Sequence, residues 1–310
     1  MFCSTIIPTV GRPSLTRAVE SVLNQTFTAD DFEIIVVNDS GQPLPEAEWQ
    51  QLPRVQIITT QRRERSVARN TGAAIATGNY LHFLDDDDWL VPEVLQHLWT
   101  LAQTSEAVWL YGASQLVDRQ ERPLLQLYHG LSGNCFAPVM AGEWIPLQAS
   151  LIDSKTFFAL GGFNPLLSGP EDIDLLRRIA LQGDLAETDH IVAYIIRGEE
   201  GSTTNYEQHP QQSRWAREII LDQPGTFARL AQSANSSDLS GRTVRIYLTS
   251  MVWNLQHHRW FNALSRGGAG LRAFVRAGPY LYSADFWQAI RTTYQSDTFT
   301  RGLRAAPLTV

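Results

Sequence analysis

Four consecutive carboxylates are the clearest chemical feature of the sequence. Asp85 to Asp88 directly follow an apolar run, NYLHFL, and precede Trp89. Two unit charges about 6 Å apart repel by roughly 3 kcal/mol at an effective dielectric constant of 20. Such a group therefore requires either full solvation or a cation.

The residues alone leave two interpretations of this cluster open. Alternate side chains of an extended segment point the same way, so Asp85 and Asp87 could share a hard divalent cation such as Mg²⁺ or Mn²⁺. Alternatively, the acids form a solvated loop at the start of the following helix, where negative charge is favourable. Asp39, which ends the run EIIVVND, favours the cation, because ligands of open α/β sheets lie beyond the carboxyl ends of strands.

The surrounding pattern predicts the elements that position these acids. Apolar strand-like runs (STIIPTV, FEIIVVND, VQIITT and NYLHFLD) alternate with helical segments (LTRAVESVLNQ, SVARNTGAAIATG and PEVLQHLWTLAQ). This βαβ rhythm predicts an α/β fold with a doubly wound, mostly parallel sheet. After residue 107 we expect a hairpin, a helix that begins after Pro170 and a last strand, HIVAYIIRG.

Charge divides the chain into two parts. Residues 1–210 contain 27 acidic and 13 basic residues, a net charge of −14, whereas residues 211–310 contain 5 and 12, a net charge of +7. The polar segment YEQHPQQS, residues 206–213, is the expected linker, so we expect one domain over residues 1–207 and a mostly helical C-terminal extension over residues 208–310. The asymmetry itself suggests two functional parts.

Bulk features exclude several classes of protein. No run of 18 apolar residues is present, so no membrane-spanning helix is expected. The two cysteines are far apart and indicate neither a disulfide framework nor a zinc site. The first ten residues lack the basic start and apolar core of a secretion signal. We expect a soluble, cytoplasmic protein.

Four segments, in order, resemble the signatures of one family. STIIPTVGRPSLTRAVESVLNQTF, EIIVVNDSG, SVARNTGAAIATGNYLHFLDDDDWLVPE and ALGGFNPLLSGPEDIDLLRRIALQG resemble those of family 2 glycosyltransferases with the GT-A fold. The resemblance covers roughly residues 4–205. It implies metal-dependent, inverting transfer of a sugar from a nucleotide-sugar donor, preferably a UDP-sugar, to a hydroxyl acceptor. The acceptor would be a glycan or a lipid-linked saccharide, as in polysaccharide biosynthesis.

The resemblance also implies which residues bind the donor nucleotide. The loop after the first strand, with Pro8, Thr9 and Arg12, would border the nucleotide. Asp39 would accept a hydrogen bond from N3–H of uracil or thymine, the alternative being that it caps the turn NDSG. Arg69 would lie on the helix that flanks the donor, the alternative being an ordinary solvent-side position.

The LDDDDW stretch matches the family's Asp-any-Asp motif. Asp85 and Asp86 would lie near the ribose and the metal, and Asp87 is the expected metal ligand. Asp88 would orient the loop or the sugar. Four consecutive acids permit more than one register, so the division of roles stays open.

The stretch GPEDIDLLRR would supply the base for the reaction. By resemblance, Asp172 removes the proton of the acceptor hydroxyl, with Glu171 beside it. The opening turn of a helix suits this role because its positive dipole end favours the ionised carboxylate. The alternative is that these acids only stabilise the helix.

Two further positions each allow two interpretations. Many relatives carry a metal-binding His after the last strand, but RGEEGST places Glu199 near that position. A carboxylate there could replace the imidazole on a hard cation, or could belong to a surface loop. Trp144 matches the acceptor side of the cleft, where either sugar stacking or core packing would explain it.

The basic C-terminal region shows no family signature. Its arginines and aromatic residues alternate: Arg242, Arg245, Arg259, Arg266, Arg272, Arg276 and Arg291 are interleaved with Trp253, Trp260, Phe261, Phe274, Tyr280, Tyr282 and Trp287. This mixture is typical of interfacial helices and suggests contact with an anionic membrane or a phosphate-bearing, lipid-linked acceptor. The alternative is a helical cap on the catalytic domain. No nucleic-acid-binding module is recognised.

Two other functions compete with glycosyl transfer. A sugar nucleotidyltransferase would need a glycine-rich phosphate loop after the first strand, but PTVGRPS contains one glycine. A silent sugar-binding or Ca²⁺-binding module would keep the acidic loop without needing the acids of PEDIDL. Both are therefore less favoured.

Overall fold

The computed structural model describes residues 1–27, 31–61, 64–167, 169–196 and 210–292. Within these ranges a single mixed sheet carries helices on both faces. Its strands are β1 (Cys3–Thr9), β2 (Phe32–Asn38), β3 (Val55–Thr59), β4 (Tyr80–Phe83), β5 (Trp89–Leu90), β6 (Trp109–Val117), β7 (Pro123–Leu127), β8 (Ser150–Asp153) and β9 (Leu185–Ile196). The helices that accompany the sheet are α1 (Leu15–Leu23), α2 (Arg65–Ile75), α3 (Val94–Thr104), α4 (Phe136–Ala141), α5 (Ser154–Ala159) and α6 (Glu171–Gln182).

The strand order is β3-β2-β1-β4-β8-β6-β9-β5, and β7 pairs with β6. The first four strands along this order are parallel to one another, as expected for βαβ units. Antiparallel pairs then join β4 to β8, β8 to β6 and β6 to β7, while β6 and β9 are again parallel. The α/β fold is thus confirmed, and its sheet is parallel in the first half and mixed in the second. Short connections such as the turn between β6 and β7 can join only antiparallel strands.

The continuous apolar run of β2 is buried at every position because helices cover both faces of the sheet. Helix α2 packs against β1 and β2 at unusually short range. A Cβ atom on Gly72 would lie 2.5 Å from a methyl carbon of Ile6 and 2.9 Å from one of Val37. Only glycine therefore allows this approach, which fixes the position of the arginines on α2 relative to the strand ends.

The sheet and helices α1–α6, within residues 1–196, form the part that the sequence resemblance identifies as catalytic, called the catalytic part below. Five described helices follow it: α7 (Pro210–Leu221), α8 (Thr226–Ser233), α9 (Ser237–Gln256), α10 (Trp260–Ala277) and α11 (Ala284–Arg291). Their apolar residues Leu230 and Tyr247 lie in the same buried cluster as Phe136 and Leu175 of the catalytic part. The extension therefore shares a core with the catalytic part, as the helical-cap alternative anticipated. The boundary expected between residues 207 and 208 lies outside the described residues and stays a prediction.

Among the described helices, none combines the length and hydrophobicity needed to span a bilayer.

Candidate functional site

The acidic cluster lies at the carboxyl end of β4. Carboxylate oxygens of Asp85, Asp87 and Asp88 all lie within 4.8 Å of one another. The amide of Asp88 donates to the carbonyl of Asp85 at 3.1 Å, which closes a tight turn. This turn brings the carboxylate of Asp88 back beside those of Asp85 and Asp87. Asp88 also accepts from the amide of Ile196 at 2.8 Å, which attaches the cluster to the end of β9. The structure therefore groups three of the four acids, whereas the alternation of side chains along an extended segment predicted only Asp85 and Asp87.

The fourth acid faces the end of β1 and the loop that follows it. Pro8 and Thr9, expected from the sequence to lie in that loop, are instead the last two residues of the strand. Asp86 accepts from the hydroxyl of Thr9 at 2.5 Å and from Arg12 at 2.7 Å. Arg12 also reaches Asp87 at 3.1 Å. Pro8 lies one residue before this contact and is only partly buried. The residues expected to border the donor nucleotide are thus held against the acidic turn.

Arginines compensate the negative charge of the cluster only in part. Burial, and then the charge of Asp85, raise the pKa of Asp87 and that of Asp88 above the usual range. Burial also raises the pKa of Asp86. Burial alone would raise the pKa of Asp85, but the positive charge of Arg69 lowers this pKa below its usual range. Three converging carboxylates fit a hard divalent cation, because Mg²⁺ and Mn²⁺ prefer oxygen ligands of this kind.

Arg69 connects the acidic cluster to the start of α6. Its guanidinium donates to Asp85 at 2.8 Å and to Glu171 at 3.2 Å, and only 4% of the residue is exposed. Arg65, one turn earlier on α2, contacts the same carboxylate of Glu171 at 2.6 Å. Arg69 is therefore not a solvent-side residue, and Glu171 is occupied by two arginines.

Asp172 opens α6 beside this ion-pair network. One carboxylate oxygen accepts from the indole nitrogen of Trp144 at 2.9 Å, and the other accepts from the amide of Ile173 at 2.7 Å. The indole thus orients the carboxylate that the sequence assigned as base. Trp144 is partly buried, so it combines packing with a direct contact to Asp172.

Asp39 lies at the end of β2, where it joins that strand to the segment before α2. It accepts from the amide of Glu64 at 2.7 Å and from the hydroxyl of Thr60. The turn NDSG is instead capped by Asn38, which accepts from the amide of Ser40 at 3.1 Å. Asn38 therefore caps this turn, and Asp39 joins β2 to the segment before α2.

Sequence reasoning missed two residues behind the cluster. Gln148 donates to Asp85 at 2.8 Å, and its own carbonyl lies 3.0 Å from Nε2 of His82. A carbonyl can only accept, so Nε2 carries the proton, and Nδ1 faces the hydroxyl of Thr5 at 3.2 Å. Burial lowers the pKa of His82 to about 4, which keeps the ring neutral. No local motif in the sequence indicates these contacts.

Glu199, the expected additional metal ligand, lies outside the described residues. Its role therefore stays a prediction.

Comparison with known proteins assigns the family. The sequence profile of Glycosyl transferase family 2 matches residues 4–155. The chain belongs to this family. The match contains β1, the loop with Arg12, the acidic cluster, Arg69 and Trp144.

Curated relatives of this family 2 chain are similar over part of its length. Poly(ribitol-phosphate) beta-N-acetylglucosaminyltransferase TarP of Staphylococcus aureus is 32% identical over 163 residues, which cover 51% of this chain and 46% of the relative. The chondroitin synthase of Escherichia coli is 24% identical over 187 residues, 57% of this chain and 26% of the relative. The matches thus span less than half the length of these relatives.

Solved structures extend the likeness of fold to nearly the whole chain. S. aureus TarS 1-349 in complex with UDP-GlcNAc superposes with a TM-score of 0.61 at 15% identity. The superposition covers 97% of this chain and 92% of that one. At this identity the comparison supports the GT-A fold together with the arrangement of the C-terminal helices.

The geometry predicts that Arg69 is required for stability. Arg69→Met should lower the free energy of unfolding by roughly 3 kcal/mol, because Asp85 loses its buried cation and Glu171 keeps only its ion pair with Arg65. Urea denaturation measures this change. The control is Arg122→Met, which removes a cation that is 75% exposed and paired with Asp118, and should change stability by less than about 1 kcal/mol. Equal effects of the two substitutions would contradict the assignment.

Proposed function

We propose that the protein transfers a sugar, with inversion, from a UDP-sugar to a hydroxyl of a saccharide acceptor, with Mg²⁺ or Mn²⁺ as cofactor. The observation that carries this proposal is the proximity of two acidic sites of different kinds. Three converging carboxylates lie at the strand ends, and Asp172 opens a neighbouring helix, with Arg69 and Glu171 between them. Membership of family 2 and the UDP-GlcNAc complex of TarS support the choice of donor.

On the donor side, the uracil base would lie at Asp39. The ribose and diphosphate would lie near Asp85 and Asp86, bordered by Thr9 and Arg12. The contacts of Asp86 with Thr9 and Arg12 support this arrangement, because they bring the loop after β1 onto the acidic turn. Arg69 would hold Asp85 ionised beside the donor.

Asp87 and Asp85 would hold the cation, with Asp88 beside them and Glu199 as the further ligand expected from the sequence. A divalent cation in this position would neutralise the charge of the departing nucleoside diphosphate. The raised pKa values of Asp87 and Asp88 support the proposal, since burial and mutual repulsion leave these carboxylates without a sufficient counter-charge.

Asp172 would act as the base. It would take the proton of the acceptor hydroxyl while that oxygen attacks the anomeric carbon of the sugar and the diphosphate departs from the opposite face. Glu171 is already engaged by Arg65 and Arg69, which favours Asp172 for this role. Trp144 would orient Asp172 and border the acceptor.

The acceptor would be a glycan or a lipid-linked saccharide in polysaccharide biosynthesis. The names of two relatives, poly(ribitol-phosphate) beta-N-acetylglucosaminyltransferase TarP and chondroitin synthase, each refer to a polymer, which supports this class of acceptor. The cytoplasmic location expected from the sequence stays a prediction.

Donor binding is tested by Asp87→Ala. UDP with Mn²⁺ should stabilise the unchanged protein by about 2.7 kcal/mol at a ligand concentration one hundred times Kd. The substitution should abolish this stabilisation, because it removes a central carboxylate of the cation site. Thermal unfolding with and without ligand measures the effect. Asp189→Ala, at a carboxylate that is 95% exposed, is the control. Undiminished stabilisation of Asp87→Ala would contradict the proposed cation site.

The base is tested by Asp172→Asn. This substitution keeps the shape of the side chain and should leave UDP–Mn²⁺ binding intact while slowing sugar transfer by roughly 10²–10⁴-fold, the usual contribution of a general base. Transfer rates and thermal shifts with the same protein preparation separate the two effects. Normal transfer by Asp172→Asn would refute the assignment of the base.

We also propose a peripheral membrane contact through α10. One side of this helix exposes Phe261, Leu264, Leu271 and Val275, of which Phe261 is 89% and Leu264 76% exposed. Arg272 and Arg276 are exposed on the same helix. An apolar stripe accompanied by cations fits an anionic lipid surface.

Membrane contact predicts that Phe261→Ser with Leu264→Ser weakens sedimentation with vesicles containing anionic lipid. Whole-chain variants are required, because the C-terminal helices share a core with the catalytic part. Leu124→Ser, at a residue that is 48% exposed on β7, is the matched control. If the double variant sediments like the unchanged protein, α10 does not contact lipid.

A further inference from the structure

A cavity lined by four arginines lies between the C-terminal helices and the catalytic part. Arg214 and Arg217 come from α7, Arg242 and Arg245 from α9, and Ala141 ends α4 at its wall. Its volume is about 230 Å³. Sites that enclose a whole drug-sized ligand occupy roughly 300–1,000 Å³. The cavity therefore suits one small charged group of a larger molecule.

Among the described residues around the cavity, positive charge exceeds negative charge. Glu218 pairs with Arg214 at 3.0 Å, Asp238 pairs with Arg242 at 2.9 Å, and Arg245 donates to the backbone carbonyl of Ile290 at 2.7 Å. Among the described residues that line it, none is acidic. All four arginines are partly buried, and like charges gathered at one cavity repel one another unless an anion lies among them.

Of the four arginines, Arg217 shows the effect of this positive charge most clearly. Its buried Nε has no hydrogen-bond partner among the described residues. Burial, and then the charges of Arg214 and Arg177, lower the pKa of Arg217 to about 9. Burial also lowers the pKa of Arg214 in spite of Glu218. The arrangement therefore favours a bound anion.

Two elements connect the cavity with the proposed base. Arg177, whose charge acts on Arg217, lies on α6 five residues after Asp172, about 7.5 Å along the helix axis. On α4, Ala141 lines the cavity, and three residues later Trp144 donates to Asp172. The cavity is thus attached to the acceptor side of Asp172 rather than to the acidic cluster.

We propose that this arginine cavity binds a phosphate group carried by the acceptor. The proposal rests on the proposed function, since it assigns the cavity to the substrate whose hydroxyl Asp172 would deprotonate. A phosphate fits better than a carboxylate, because it offers more oxygens and more negative charge to several guanidinium groups at once.

Titration calorimetry on the full chain, at constant ionic strength and without metal or donor, tests the site. Glycerol 1-phosphate should bind and glycerol should not. Arg217→Gln should weaken binding by roughly tenfold or more, which corresponds to the loss of one charge-assisted contact. Without ligand, Arg217→Gln should be at least as thermally stable as the unchanged protein, because it removes repulsion among the arginines of the cavity. The control is Arg276→Gln, at an exposed arginine of α10, which should bind normally.

A turnover assay distinguishes an acceptor phosphate from free phosphate. With UDP-sugar and Mn²⁺, Arg217→Gln should raise the KM for glycerol 1-phosphate as acceptor by roughly tenfold and leave the KM for the donor unchanged. Binding of inorganic phosphate without binding of the ester would overturn the acceptor assignment, as would equal affinities of Arg217→Gln and the unchanged protein for the ester. A failure of UDP and Mn²⁺ to stabilise the protein would refute the proposed function, while the calorimetric result would still decide whether the cavity binds phosphate.

Discussion

The buried guanidinium of Arg69 is the interaction on which the site depends. It lies between Asp85 at the end of β4 and Glu171 at the start of α6, and it keeps a carboxylate ionised where burial alone would favour the protonated form. One cation therefore sets the distance between the acidic turn and the helix that carries Asp172. The close contact of Gly72 with Ile6 and Val37 gives α2 the rigid position that this role requires.

The four acids have different neighbours although they are consecutive in the chain. Asp86 faces Thr9 and Arg12, whereas Asp88 turns back to the end of β9 and joins Asp85 and Asp87. Arginines pair with three members of the run, Arg69 with Asp85 and Arg12 with Asp86 and Asp87. Burial and repulsion still raise the pKa values of Asp87 and Asp88, and a cation fits best beside these two carboxylates.

Much of the fold was readable from the sequence, because apolar strand-like runs alternate with helical segments and the strand ends coincide with the acidic residues. The division of roles within the Asp run was not, since it depends on a turn hydrogen bond that no periodicity encodes. Glu171 and Arg69 are 102 residues apart, and Gln148 belongs to no motif, so only the tertiary structure brings them to the cluster. The sequence suggested that the C-terminal region contacts a membrane or a phosphate-bearing acceptor, or forms a helical cap. It could not show that four of its arginines surround a cavity, which forms where α7 and α9 pack against the catalytic part.

The opposite net charges of residues 1–210 and residues 211–310 match the acidic cluster in the first part and the arginine cavity in the second. A cluster of carboxylates that holds a metal-bound diphosphate would repel any second phosphate that approaches without its own cation. At an effective dielectric constant of 20, two unit charges 10 Å apart still interact by roughly 1.7 kcal/mol. An acceptor with a phosphate group would therefore bind poorly beside the acidic cluster unless positive charge accompanied it. The arginine cavity would supply that charge, so the excess of +7 in residues 211–310 would offset the repulsion that the acids of the donor side create.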